Sequence, residues 1–229
     1  MLKKFLSAIG NKSKSAPKGK GPYSDDSINL IYELLFCDNL HLFKDNHHGD
    51  LKGPWPILFS DHPEVDSLIK LSESSDTESR VRALAFNLLR ANGHKVPEKQ
   101  LLGTIVEVSL PEGLDTLAAF VDGSARYINH TGKIAVVEGT PNDFEAEIDA
   151  VIEASKPVVA VIGPWDKDRL KAPVNGNIRL SFLVSDGLYF GEGPMGQMKK
   201  EQMAAPLISA AVSLLQKLVN KTTNSEQRH

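Results

Sequence analysis

The stretch LLGTIVEVSLPEGLDTLAAFVDGSARYINHTGKIAVVEG, Leu101 to Gly139, decides the fold. Its period-2 hydrophobicity and turn residues predict an antiparallel β-meander of about four strands. Leu102, Thr104, Val106, Val108 and Leu110 alternate with Glu107 and Ser109, and Pro111-Glu112-Gly113 breaks the run. Leu117 to Val121 forms the next strand. Asp122-Gly123 then suits a type I′ hairpin turn, whose twist matches that of paired strands. Ala125 to Asn129 returns, and His130-Thr131-Gly132-Lys133 turns the chain again. Ile134 to Val137 is apolar throughout, so burial on both faces and a central place in the sheet are expected. Strands joined by such short loops pair antiparallel, since parallel pairing needs long crossovers.

Upstream, Ser24-Asp25-Asp26 starts a helix with Ile28, Ile31, Leu34 and Leu35 on one face and Cys37, a small core residue, near its end. Pro63 to Ser72 is a second short helix. Ser75-Asp76-Thr77-Glu78 has the S-x-x-E spacing of a capping box, followed by Val81, Leu84, Ala85, Leu88 and Leu89 at helical spacing and Gly93 as a stop. Arg80, Arg82 and Arg90 fall off that stripe and read as a solvated face.

Downstream, Thr140-Pro141 reads as a helix cap with proline at the first position, ahead of Phe144, Ile148, Val151 and Ile152. Pro157 to Ile162 reads as a buried strand. Asp166 to Asn177 is a long polar loop. Ile178 to Val184 and Leu188 to Phe190, joined by Asp186-Gly187, form a second hairpin that extends the sheet. The last helix, to about Asn220, carries Leu207, Ile208, Ala211, Val212, Leu214, Leu215 and Leu218 over more than one stripe, an apolar surface wide enough to be sandwiched or to serve as a homodimer interface. The expected fold class is therefore α+β: an antiparallel meander sheet of about six or seven strands, packed helices and a helical N-terminal region. The expected divisions are a flexible basic arm over 1–23, the helical region over 24–95, the sheet domain over 96–220 and a disordered tail over 221–229.

The 229 residues are 41% hydrophobic and 24% charged, ordinary for a globular chain. Residues 1–24 hold six lysines and no acid, while the whole chain has a net charge of −3, so the remainder is acidic by nine. This balance gives no nucleic-acid signature. The arm, with Phe5, Leu6 and Ile9 beside its lysines, suits weak contact with a membrane surface or an anionic partner. One cysteine, Cys37, excludes an intrachain disulfide and any multi-cysteine zinc site. No apolar run is long enough for a transmembrane segment, and a cytoplasmic location is expected.

Motifs that carry chemistry are sparse. His41, His47 and His48 lie near Asp45 and Asp50, but their spacing matches no established metal pattern, and no metal or cofactor is expected. Gly191-Glu192-Gly193-Pro194-Met195-Gly196 satisfies G-x-G-x-x-G between a strand and a helix. No second strand with an acidic ribose ligand follows it, so the glycines read as a left-handed connector into the last helix. No G-x-S-x-G elbow, P-loop or kinase signature is present.

ARYINHTGKIAVVEG, SDGLYFGEGP and ESRVRALAFNLLR resemble stretches of an uncharacterised group of bacterial proteins, a likeness over most of 25–220 that carries no activity with it. The order of elements is similar to profilin-like or longin-like layouts, and fold alone implies no function. The leading expectation is a non-catalytic protein-binding or scaffold module of the bacterial cytoplasm. The alternative is an enzyme binding a small anionic ligand through Arg126, Tyr127, Asn129, His130 and Lys133 of the meander with Gly191 and Gly193 of the Gly-rich loop. Arg126 and Tyr127 should face opposite sides of their strand, which weakens the alternative.

Overall fold

The computed structural model describes residues 21–226, with side chains as far as residue 221. The basic arm over 1–20 and the last three residues lie outside the described residues. The helices are α1 (Asp26–Leu34), α2 (Leu40–Asp45), α3 (Trp55–Leu58), α4 (Val65–Glu73), α5 (Ser79–Ala91), α6 (Glu145–Val161), α7 (Met195–Met198) and α8 (Ala204–Glu226). The strands are β1 (Leu101–Leu110), β2 (Gly113–Phe120), β3 (Ala125–Ile128), β4 (Ile134–Val137), β5 (Asn177–Val184) and β6 (Gly187–Pro194). They form one six-stranded sheet in the order β4-β3-β2-β1-β5-β6, antiparallel at every pairing. The α+β class follows directly.

Both faces of the sheet are covered. One face packs under α1–α5, through Ile105, Leu114, Ala118, Phe120, Ile128 and Leu183. The other packs under α6 and α8, through Val106, Leu117, Ala119, Leu180, Phe182 and Tyr189. The two long helices also pack on each other, so the broad apolar surface of α8 is largely sandwiched. After β4, α6 crosses the second face against β1 and β2 and returns the chain to the free edge of β1, where β5 pairs. That route makes β1 central.

Several expectations are corrected. Ile134–Val137 is an edge strand, with Val136 40% exposed. Ile134 packs against the core on one face and Val137 against the core on the other, but the strand is paired on one side only. Pro157 to Ile162 is the end of α6: burial recurs at Ile148, Ile152, Ser155 and Val159, a helical period, while Val161 is exposed. Proline is tolerated there because its own face is toward solvent. Thr140-Pro141, a cis peptide, does not start that helix; Asn142 Oδ1 accepts the Phe144 N–H at 2.8 Å ahead of it.

The Asp122-Gly123 turn also differs from the expected type I′. Of Asp122 and Gly123 only the glycine has positive φ, 76°. Gly123 N–H donates to Phe120 O at 3.1 Å and Phe120 N–H to Ser124 O at 2.9 Å. The β3–β4 turn repeats this with Gly132 N–H to Asn129 O and Asn129 N–H to Lys133 O. Each is a tight turn closed by a left-handed glycine, the arrangement of slightly longer hairpin loops.

The S-x-x-E box does not cap α5, whose N-terminus is capped from the β2–β3 turn instead. Nor is its arginine face solvated. Arg80 and Arg82 are buried, Arg80 on Glu78 and 5.7 Å over the Phe120 ring, Arg82 donating to Ser72 O at 2.9 Å. Aliphatic stems let such side chains line a core while their heads find acceptors. Tyr23, expected in the arm, is buried, its hydroxyl 2.9 Å from Thr116 Oγ1. The final helix continues past Asn220 to Glu226.

Candidate functional site

The residues expected to bind a ligand fall in separate places. Tyr127 ends on Asp115, donating its phenol to Oδ2 at 2.9 Å, and His130 leans on the same carboxylate, N–H to Oδ1 at 2.8 Å and Nδ1 at 3.2 Å. Burial, then the Asp115 carboxylate, push the Tyr127 phenol well above its ordinary pKa, so it is held neutral. Asn129 is consumed by its own turn, its Oδ1 accepting from Thr131 N–H and Oγ1 and from Lys133 N–H. Lys133 is exposed. Arg126 lies on the opposite face, as alternation requires, buried and donating to Val137 O at 2.6 Å and Glu138 Oε1 at 3.1 Å. Burial, followed by the nearby Arg80 charge, pushes its pKa down to about 10.

Gly191 and Gly193 belong to β6, the opposite edge of the sheet. Four strand spacings separate β6 from β3, on the order of 19 Å. Neither glycine is left-handed, so the connector reading is corrected: they sit in extended strand. A Cβ on Gly193 would meet Met198 Sδ at 3.3 Å, so this glycine admits α7. Glu192 points to the other face and grips Arg179 through Oε2, at 2.9 Å from Nε and 2.6 Å from Nη2. The G-x-G-x-x-G run is a structural join.

The structure assembles instead a buried polar network that alternation alone did not single out. Glu107, on central β1, is fully buried and accepts the Tyr32 hydroxyl at 2.6 Å on Oε1. Its Oε2 accepts no hydrogen bond, and Arg179 Nη1 stands 3.7 Å away. Burial raises the Glu107 pKa, outweighing the Tyr32 hydrogen bond and the Arg179 and Arg169 charges that favour its ionised form. Arg179 also clamps the loop over 163–176 by donating to Leu170 O at 3.2 Å and Lys171 O at 2.6 Å. Arg169 ties the same loop to the first helix: it pairs with Asp38 at 2.6 Å and with Glu33, and lies 3.9 Å over the Phe36 ring. One sequence signal was available: Glu107 and Arg179 are each single charges flanked by apolar residues in paired strands.

Above this network opens a cleft of about 560 Å³ between α1, the β1–β2 turn and the clamped loop. Tyr32, Glu33 and Arg169 form its polar side, and Leu110, Leu170 and Val174 its apolar walls. Its size is that of a small-ligand pocket.

Cys37 is buried, and burial pushes its thiol far above the reactive range. His47 packs its ring 5.5 Å from both Trp55 and Phe59. Among the described residues no group of three His, Cys, Asp or Glu side chains stands ready to share a metal ion, and no helix is long and apolar enough to cross a membrane. Compared with known proteins, the chain matches no family model, no curated protein and no solved structure.

Proposed function

We propose that the chain is a non-catalytic binding module that works by pairing with a second copy of itself along the β4 edge and the adjoining part of α8. The observation that carries this reading is the open apolar edge. Asn129 N–H bonds to Lys133 O, so in the alternating antiparallel pattern the main-chain groups of Ile134 and Val136 point away from β3. Val136 is 40% exposed and borders a groove of about 320 Å³ shared with Phe144, Leu218 and Lys221. Val212 and Val219, two turns apart on α8, are exposed as well. The opposite edge is blunted, since Trp165 N–H donates to Leu188 O at 2.8 Å and Pro194 ends β6. An antiparallel strand pair is self-complementary about a two-fold axis, so a second copy satisfies the edge with no other partner. Light scattering of the full chain at several concentrations and two salt concentrations tests it. A dimer that persists in high salt and is lost in Val136→Lys supports the reading; a monomer at all concentrations overturns it.

A second reading, a small-ligand site with acid–base chemistry, draws on the cleft over Glu107. A buried carboxyl with raised pKa beneath a ligand-sized cleft is the combination that acid–base sites use. Ligand-dependent quenching of tyrosine fluorescence, lost in Tyr32→Phe, tests it.

A further inference from the structure

Among the described residues, Arg90 is a cation that hydrogen-bonds only neutral groups and lies beside a groove. It sits in the last turn of α5 and donates from Nη1 to Asp186 O at 3.1 Å and from Nη2 to Asn87 Oδ1; its Nε has no partner. No carboxylate among the described residues lies within 4.0 Å of its guanidinium. The carboxylate that lines the groove, Asp38, is taken by Arg169 at 2.6 Å. The Asp186 carboxylate is occupied too, accepting the Tyr189 hydroxyl at 2.8 Å and the Lys99 N–H at 3.3 Å.

The groove beside Arg90 has a volume of about 420 Å³. Its walls are Phe36, Ala83, Leu183 and Leu188, from the end of α1, from α5 and from the β5–β6 hairpin. Gly187 lets the hairpin pass close to Pro164 and to the guanidinium. A Cβ there would come within 2.8 Å of Pro164 Cβ and 3.4 Å of Arg90 Nη1, and its φ of 155° disfavours other residues. Asn87 holds the guanidinium in place: its Oδ1 accepts from Arg90 while its Nδ2 donates to Cys37 O at 2.6 Å.

We propose that this groove binds a small monocarboxylate with an apolar body, its carboxylate on the Arg90 guanidinium and its chain against Phe36, Leu183 and Leu188. Two independent features select that chemistry. The guanidinium keeps donors in excess of its two neutral acceptors, and a planar carboxylate matches its fork. Apart from Asn87 and the committed Asp38, the other side chains lining the groove are apolar. Desolvation of Arg90, which lowers its pKa more than the Asp186 charge raises it, marks a charge that gains from a counterion. The volume lies within the range of small-ligand pockets, and a medium-chain alkanoate such as octanoate is a probe with the required carboxylate and apolar chain. The site lies apart from the β4 edge, so it does not depend on self-association.

The test is an amide-resolved NMR titration of the full chain with octanoate, kept below its micelle-forming concentration, and in parallel with octanol. Octanoate is expected to shift the amides of Ala83, Asn87, Gly187 and Leu188 saturably, with octanol at least tenfold weaker. Arg90→Gln should abolish that preference and Arg90→Lys retain part of it. Absence of a saturable octanoate shift at those amides, or equal binding of octanoate and octanol, overturns the proposal. The comparison of the two ligands on the unaltered chain decides the matter even where a substitution at Arg90 disturbs folding.

Discussion

Ser79 and Asp122 cap each other across 43 residues of sequence. Asp122 Oδ2 accepts the Ser79 N–H at 2.7 Å, and Ser79 Oγ accepts the Asp122 N–H at 3.1 Å. This is the reciprocity of a capping box with its two halves on different elements, so the start of α5 and the β2–β3 turn are fixed together. Asp122 Oδ1 further holds Ser124 through its N–H and Oγ. Replacing Asp122 with Ala should cost about 1–2 kcal/mol, the scale of a lost N-cap. Chemical denaturation measures it. A loss no larger than that of the exposed Asp76→Ala would show that the cross-element cap contributes nothing.

Thr104 and Ser155 make the one hydroxyl chain between β1 and α6 among the described residues: Thr104 donates to Ser155 Oγ at 2.8 Å, and Ser155 donates to Val151 O at 2.7 Å. Both residues are fully buried. Ser155→Ala strands the Thr104 hydroxyl and should destabilise by about 1–3 kcal/mol. Adding Thr104→Val removes the stranded group, so the double variant should lose less than the sum of the two singles. Strict additivity in a double-mutant cycle would refute the coupling.

Glu107 makes a pH prediction whose sign follows from its raised pKa. A carboxyl that holds its proton more tightly folded than unfolded adds stability below the unfolded pKa. That contribution is lost as pH rises through the folded pKa. Glu107→Gln removes the titration while keeping an acceptor for the Tyr32 hydroxyl. The variant should therefore gain stability relative to the parent between about pH 4 and neutrality, the interval that begins at the ordinary carboxylate pKa. Denaturation midpoints at acid and neutral pH check this; a parent-minus-variant difference that does not change with pH would count against it.

Arg169 joins the loop over 163–176 to α1 through Glu33, Asp38 and the Phe36 ring. Arg169→Met keeps much of the apolar stem and removes the charge-assisted hydrogen bonds, at a cost of about 1–2 kcal/mol given that both carboxylates are open enough to rehydrate. Amide hydrogen exchange should quicken from Asp168 to Val174 while Arg179 still restrains Leu170 and Lys171. Unchanged exchange in that segment would mean the Arg179 clamp suffices.

The alternation of the first meander strands and the pairing of Ile178–Val184 with Leu188–Phe190 were legible because side-chain period reports which residues of one strand share a face. The stripe of α5 was legible for the same reason. The candidate site was not. Tyr127 and His130 do meet on Asp115, but Gly191 and Gly193 lie at the other edge of the sheet, and no local pattern says which strands are neighbours. Glu107 read only as a polar residue opposite the apolar face of its strand; Tyr32 and Arg179, which meet it, are 75 and 72 residues away in the chain.

By itself the sequence determined the α+β class, the meander with the places of its turns, and the apolar stripes of α5 and of the first half of α6, all properties of residues within a few positions of one another. Tertiary structure decided that Ile134–Val137 is an edge, that Pro157–Val161 ends a helix, that Arg80, Arg82 and Arg126 are buried, and that Ser79 is capped by Asp122. Each of these depends on which distant surface covers a residue, and the route of α6 back to β1 sets that only once the chain has packed.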